Sequence, residues 1–124
     1  MTNKEKKAIL IVEDDQPIAG ALKLKLEKNN FLVQVCTNGN EAIELLIKED
    51  FDLILLDLMM PEKDGFAFLL EAKTKKIKTP VIVMSNLGQP EDINRATELG
   101  AIGYFVKSNV SIAEVVDYIK KLDN

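Results

Sequence analysis

Five short apolar runs limit what this chain can fold into: Ala8–Val12, Leu32–Cys36, Leu53–Leu56, Val81–Met84 and Tyr104–Val106. They are too short for helices, rich in branched residues, and apolar without alternation. That pattern predicts parallel strands buried on both faces. Helical spacing fills the intervals, with Ile18, Leu22 and Leu26 in the first, then Ile43, Leu46 and Ile47, then Phe66, Leu69 and Leu70. A short fourth segment carries Ile93, Ala96 and Leu99, and a fifth carries Ile112, Val115, Val116 and Ile119. Cap signals mark the ends. Asp15 with Pro17 opens the first helix, Asn40 caps the second, and Pro90 and Gly100 bracket the fourth. Ser111 with Glu114 forms a capping box for the last.

Strand and helix therefore alternate five times. Parallel neighbours need right-handed helical crossovers, so helices must cover both faces of one sheet. The expected fold is α/β: a single doubly wound parallel sheet of order 2-1-3-4-5 with five helices, the flavodoxin-like arrangement. The expected boundaries are a polar tail over 1–7 and one domain over 8–122. In this architecture ligands bind at the carboxyl ends of the strands, where the strand order reverses.

Composition removes several functions. With 47% apolar and 29% charged residues, 124 residues make one globular domain that folds without disulfides. The lone Cys36 is expected to be a buried, inert thiol. There is no histidine, which excludes histidine acid–base catalysis, histidine zinc sites and an internal phosphohistidine. A metal would have to be held by oxygen ligands, pointing to magnesium or its hard relatives. The net charge of -4 argues against direct binding of nucleic acid. The lysines at 73, 75, 76 and 78 read as the solvated last turn of a helix. No secretory signal or membrane-length apolar stretch is visible, so the expected location is cytoplasmic, with no membrane partner.

The strand ends carry the chemistry. Glu13, Asp14 and Asp15 follow the first run, Asp57 the third, Ser85 the fourth and Lys107 the fifth. Two like charges about 4 Å apart repel by about 4 kcal/mol at an effective dielectric near 20. Carboxylates gathered at adjacent strand ends therefore call for a cation, which Lys107 alone replaces only in part. Asp15 is assigned to the helix cap, leaving Glu13, Asp14 and Asp57 for the site. A carboxylate held against a cation can attack phosphorus and become an aspartyl phosphate. Lys107 then supplies a point charge, and Ser85 a hydroxyl donor, for phosphate oxygens.

These residues resemble the receiver domains of two-component response regulators, chemotaxis-regulator-like, from Ala8 to Leu122. The resemblance lies in Ile9–Asp14, in Asp57 followed by Met60-Pro61 and Asp64-Gly65, and in the spacing of Ser85, Tyr104 and Lys107. It implies Asp57 as phosphoacceptor, with Ser85 and Lys107 on the phosphoryl group. Mg2+ (or Mn2+) would be ligated by Asp14, Asp57 and the backbone carbonyl of Met59, with Glu13 acting through water. Tyr104 would be an aromatic switch coupled to Ser85. The implied donor is a phosphohistidine on a sensor histidine kinase or histidine phosphotransfer protein. The implied output is a face of the fourth helix, fifth strand and fifth helix, acting on a partner protein or an output domain, with a phosphorylation-dependent dimer as one form. Such a protein is a switch rather than an enzyme, catalysing at most its own phosphorylation and dephosphorylation.

The chain departs from the family pattern at Ser108, where proline is usual, at Asn86, usually a small residue, and in the apolar Met59 and Leu87. A trans bond or a rearranged loop is expected before Ser108. Three rival functions fit parts of the same pattern. A phosphatase of the haloacid dehalogenase type wants a second aspartate where Met59 stands. A flavin or nucleotide module wants a glycine- or hydroxyl-rich loop where Glu13-Asp14-Asp15 stands. A receiver-like interaction domain that is never phosphorylated is the third.

Overall fold

A computed structural model of the chain describes residues 6–60 and 62–122; the expected polar tail lies outside them over 1–5. The strands are β1 (Ala8–Val12), β2 (Leu32–Cys36), β3 (Leu53–Leu56), β4 (Val81–Ser85) and β5 (Ala101–Val106). The helices are α1 (Gln16–Lys28), α2 (Gly39–Lys48), α3 (Gly65–Thr74), α4 (Pro90–Glu98) and α5 (Ile112–Leu122). All strand pairs are parallel, in the order β2-β1-β3-β4-β5. This is the expected doubly wound fold.

Two cores flank the sheet. On one side Leu10, Val12, Ile54, Leu56 and Val83 pack against α2, α3 and α4 through Ala42, Ile43, Phe68, Leu69 and Ala96. On the other Ile9, Ile11, Leu55 and Ile82 meet α1 and α5 through Leu22, Leu26, Val115, Val116 and Ile119. Successive strand residues point to opposite faces, so a continuous apolar run feeds both cores.

That rule holds for the three inner strands and fails at the edge. In β2 only Cys36 is buried, and Leu32 and Gln34 are exposed. The β4–β5 ladder also shifts register, with Val81 opposite Ala101 and Ile82 opposite Gly103, so that Ile102 is an extra residue in β5.

Other local expectations are corrected. Asn38, not Asn40, caps α2, its Oδ1 accepting from Glu41 N at 2.9 Å. Ile47 and Leu70 are 65% and 55% exposed, while the fully buried Phe68 anchors α3 instead. Ser85 is the last residue of β4 rather than the first beyond it. The remaining caps form as expected: Asp15 accepts from Ile18 N, and Ser111 and Glu114 exchange bonds at 3.1 and 3.0 Å. Gly100 ends α4 at φ +110.

Candidate functional site

The sheet ladder continues one residue past β1 and β3, and this builds the site. Glu13 N donates to Cys36 O and Asp57 N to Val12 O, both at 3.0 Å. The backbones of the two acids are thereby fixed on neighbouring strands at the carboxyl edge. Glu13 and Asp57 are only 2% and 5% exposed, whereas Asp14, one residue into the turn, is exposed. One carboxylate oxygen from each of Glu13, Asp14 and Asp57 lies within 4.8 Å of the others.

Each buried acid is partly satisfied. Asp57 Oδ1 accepts from Met59 N at 3.1 Å, and Oδ2 lies 3.2 Å from Lys107 Nζ. Glu13 Oε1 lies 2.7 Å from the same ammonium, and Oε2 accepts from Asp15 N at 3.2 Å. One cation is thus paired with two of the three clustered carboxylates. Burial is the main cause that pushes Glu13 up to about 7, with the Asp57 charge adding to it against the Lys107 and Asp15 hydrogen bonds. Burial pulls Lys107 down, but its bonds and charge attraction to Glu13 and Asp57 outweigh it and raise its pKa. An oxygen-only donor set with excess negative charge fits a hard divalent cation.

The loop after Asp57 is shaped by one close approach. A Cβ on Gly65 would lie 2.5 Å from Leu58 Cα and 2.9 Å from Asp57 O. The start of α3 therefore rests directly on the backbone of Asp57 and Leu58, and Gly65 N donates to Leu58 O at 2.9 Å. Asp64 caps α3 through Ala67 N at 2.9 Å. Met59 is 54% exposed beside the acids; Pro61 lies outside the described residues.

On the other flank Ser85 is fully buried, its Oγ accepting from Leu87 N at 3.3 Å. The Tyr104 hydroxyl donates to the carbonyl of Leu87, two residues beyond Ser85. Burial, with the charges of Asp92 and Asp57, raises the Tyr104 pKa, so the phenol stays a donor at neutral pH. Lys107 begins a short 3-10 turn over Lys107–Asn109, and every peptide bond among the described residues is trans, including that before Ser108. Cys36 is buried, and burial, helped by the Glu41 charge, pushes its thiol up to about 12.

The structure thus brings together Glu13, Asp14, Asp57, Met59 and Lys107, and links Ser85 of β4 and Tyr104 of β5 through Leu87 in the β4–α4 loop. Neither the direct Glu13–Lys107 pair nor the Leu87 carbonyl as partner of Tyr104 is legible in the sequence. Both depend on distances across separate strands, although the acids and the lysine at strand ends mark where to look.

Fold and acid cluster define a doubly wound α/β domain with an acidic pocket at the carboxyl edge of its sheet. The chain belongs to the response regulator receiver domain family, whose model matches residues 9–120. It is similar to the cell cycle response regulator CtrA of Brucella ovis, at 36% identity over 99 residues, covering 80% of this chain and 43% of that protein. The chain thus spans less than half the length of this curated relative. Among solved structures it resembles the Francisella response regulator 1452 receiver domain, with TM-score 0.88, 32% identity, and coverage of 94% of this chain and 96% of that one. It also resembles a CheY-like receiver domain protein from Methanospirillum hungatei JF-1, with TM-score 0.86, 27% identity, and coverage of 94% and 92%. Receiver domains serve two-component signalling, are not generally classed as enzymes, and bind Mg2+ at an acidic pocket. Response regulators take phosphoryl groups from histidine kinases and act on output targets.

Proposed function

We propose that Asp57 accepts a phosphoryl group from a phosphohistidine in trans and that the modified site then reorganises the β4–α4 loop and β5. The observation that carries this reading is the gathering of Glu13, Asp14 and Asp57 at the carboxyl edge of the sheet, with Lys107 paired to Glu13 and Asp57. In the transfer an Asp57 oxygen forms the new O–P bond as the N–P bond breaks, and the histidine nitrogen keeps the electron pair.

Asp14, Asp57 and the Met59 carbonyl are the proposed Mg2+ (or Mn2+) ligands, with Glu13 contributing through water. The bound ion would neutralise charge on the phosphoryl oxygens. Met59 N holds the acceptor carboxylate in orientation through Oδ1. Lys107 is the proposed cation for a phosphoryl oxygen and Ser85 the proposed hydroxyl donor. Two such charge-assisted bonds contribute about 1.5–3 kcal/mol each. An inversion of populations from 1:99 to 99:1 takes about 5.5 kcal/mol, which is of the same size. Because Leu87 accepts from Tyr104 and donates to Ser85 Oγ, movement of Ser85 would be felt at Tyr104.

The proposed setting is the cytoplasm; no helix among the described residues is long and apolar enough to cross a membrane. A histidine kinase or phosphotransfer protein would be the donor. A protein target or output domain would read the face of α4, β5 and α5, and a phosphorylation-dependent dimer through that face belongs to the same proposal. Intact-mass analysis after incubation with Mg2+ and acetyl phosphate, and separately with a phosphorylated histidine kinase, tests the reading. A gain of one phosphoryl group that Asp57→Asn abolishes is expected. No gain from either donor would favour a receiver-like interaction domain that is never phosphorylated.

A further inference from the structure

We infer that Lys63 is a positioning residue for the divalent cation, fixing the loop that carries the Met59 carbonyl through its pair with Glu71. The inference rests on the metal-site reading proposed above. Among the described residues, Lys63 and Lys107 are the two lysines that are not exposed. Lys107 belongs to the acid cluster, so Lys63 calls for its own explanation.

Its ammonium is ion-paired to Glu71 on α3, and both side chains are largely sheltered, at 22% and 28% exposure. Its stem lies across the first residue of α2: a Cβ on Gly39 would meet Lys63 Cδ at 3.0 Å and Cγ at 3.1 Å. One side chain therefore ties the β3–α3 loop to two helices at once. The preceding residue, Glu62, is a non-glycine residue at φ 68, a conformation that persists only where its surroundings impose it. The next two residues are fixed as well, Asp64 by Ala67 N and Gly65 by Leu58 O. On the outgoing limb Leu58 and Met60 are buried, which leaves Met59 between two anchors. Loosening Lys63 frees the return limb and, with it, the placement of the Met59 carbonyl. Residues that orient metal ligands from outside the ligand set commonly matter for affinity.

The test is Mg2+ titration by isothermal calorimetry on the wild type, Lys63→Met, Glu71→Gln, the double variant and Asp14→Ala. Electrostatics alone makes opposite predictions for the single variants, because removing a cation near the acids tightens Mg2+ and removing an anion loosens it. Positioning predicts that both weaken binding, by about tenfold, and that the double variant is no worse than the weaker single. Lys63→Arg, which keeps the charge, should stay near the wild type. Unchanged or tighter binding by Lys63→Met, including the case of a lowered Tm with an unaltered Kd, overturns the inference. Should Lys63→Met not fold, wild-type affinity in Glu71→Gln overturns it. Wild-type binding that survives Asp14→Ala, or no saturable binding at all, sinks the metal-site reading itself and is thereby told apart.

Discussion

Lys107 Nζ lies 2.7 Å from Oε1 of Glu13, closer than to the carboxylate of Asp57, at 3.2 Å. The lysine proposed for a phosphoryl oxygen is thus held first by a neighbouring acid. Burial first, and then the Asp57 charge, raise Glu13 from its ordinary 4.5 to about 7. A carboxyl raised in this way binds its proton more tightly in the folded chain. Its contribution to stability is complete below pH 4.5 and lost as pH rises through about 7. The metal-free Tm should therefore fall across that window. Mg2+ competes with the same proton, so its affinity should rise over the same range. Glu13→Gln should flatten both profiles, as read by thermal melts and calorimetry from about pH 5 to about pH 8.

Gly65→Ala would place a methyl 2.5 Å from Leu58 Cα, a backbone atom with nowhere to retreat. A loss of about 1–3 kcal/mol is expected in urea unfolding, with the midpoint lowered. The same displacement reaches Asp57 O, so acceptance of a phosphoryl group from acetyl phosphate should slow as well.

Tyr104→Phe removes the donor to the Leu87 carbonyl and leaves the ring in place. Stability should drop by about 1 kcal/mol. Hydrogen exchange at the amides of the β4–α4 loop should quicken. Unaltered exchange there would mean that the phenol does not hold the loop.

Met59 lies two residues beyond Asp57 and is 54% exposed, and the half-buried Leu87 lies two residues beyond Ser85. They are expected to hinder the hydrolytic water and prolong the phosphorylated state. Met59→Asn and Leu87→Glu should each shorten its lifetime, followed by loss of the phosphoryl mass with time. Equal lifetimes in all three proteins would count against the idea.

The carboxyl edge and its acids are legible in the sequence because the lengths of the apolar runs fix where each strand stops. Glu13 and Asp57 follow directly from Val12 and Leu56. Finer detail is set by tertiary packing. The run Asn38-Gly39-Asn40 offers two capping residues, and only the path of the chain out of β2 selects Asn38. The segment that becomes α3 is apolar on more than one face, so spacing alone does not separate buried Phe68 from exposed Leu70. The Ala101-Ile102-Gly103 opening of β5 is obscured by a glycine and an irregular ladder.

That irregular ladder decides on which side of the molecule the phenol lies. Counted in step from Ala101, Tyr104 would stand opposite Met84, a residue of the α1–α5 side. The supernumerary Ile102 changes odd to even: Tyr104 pairs with Val83 and joins the α2–α4 side, within reach of Leu87, while Phe105 takes the other. A miscount of one residue near the far rim of the sheet would thus carry Tyr104 away from Leu87 and shift Lys107 with it, while Glu13, Asp14 and Asp57 stayed in place.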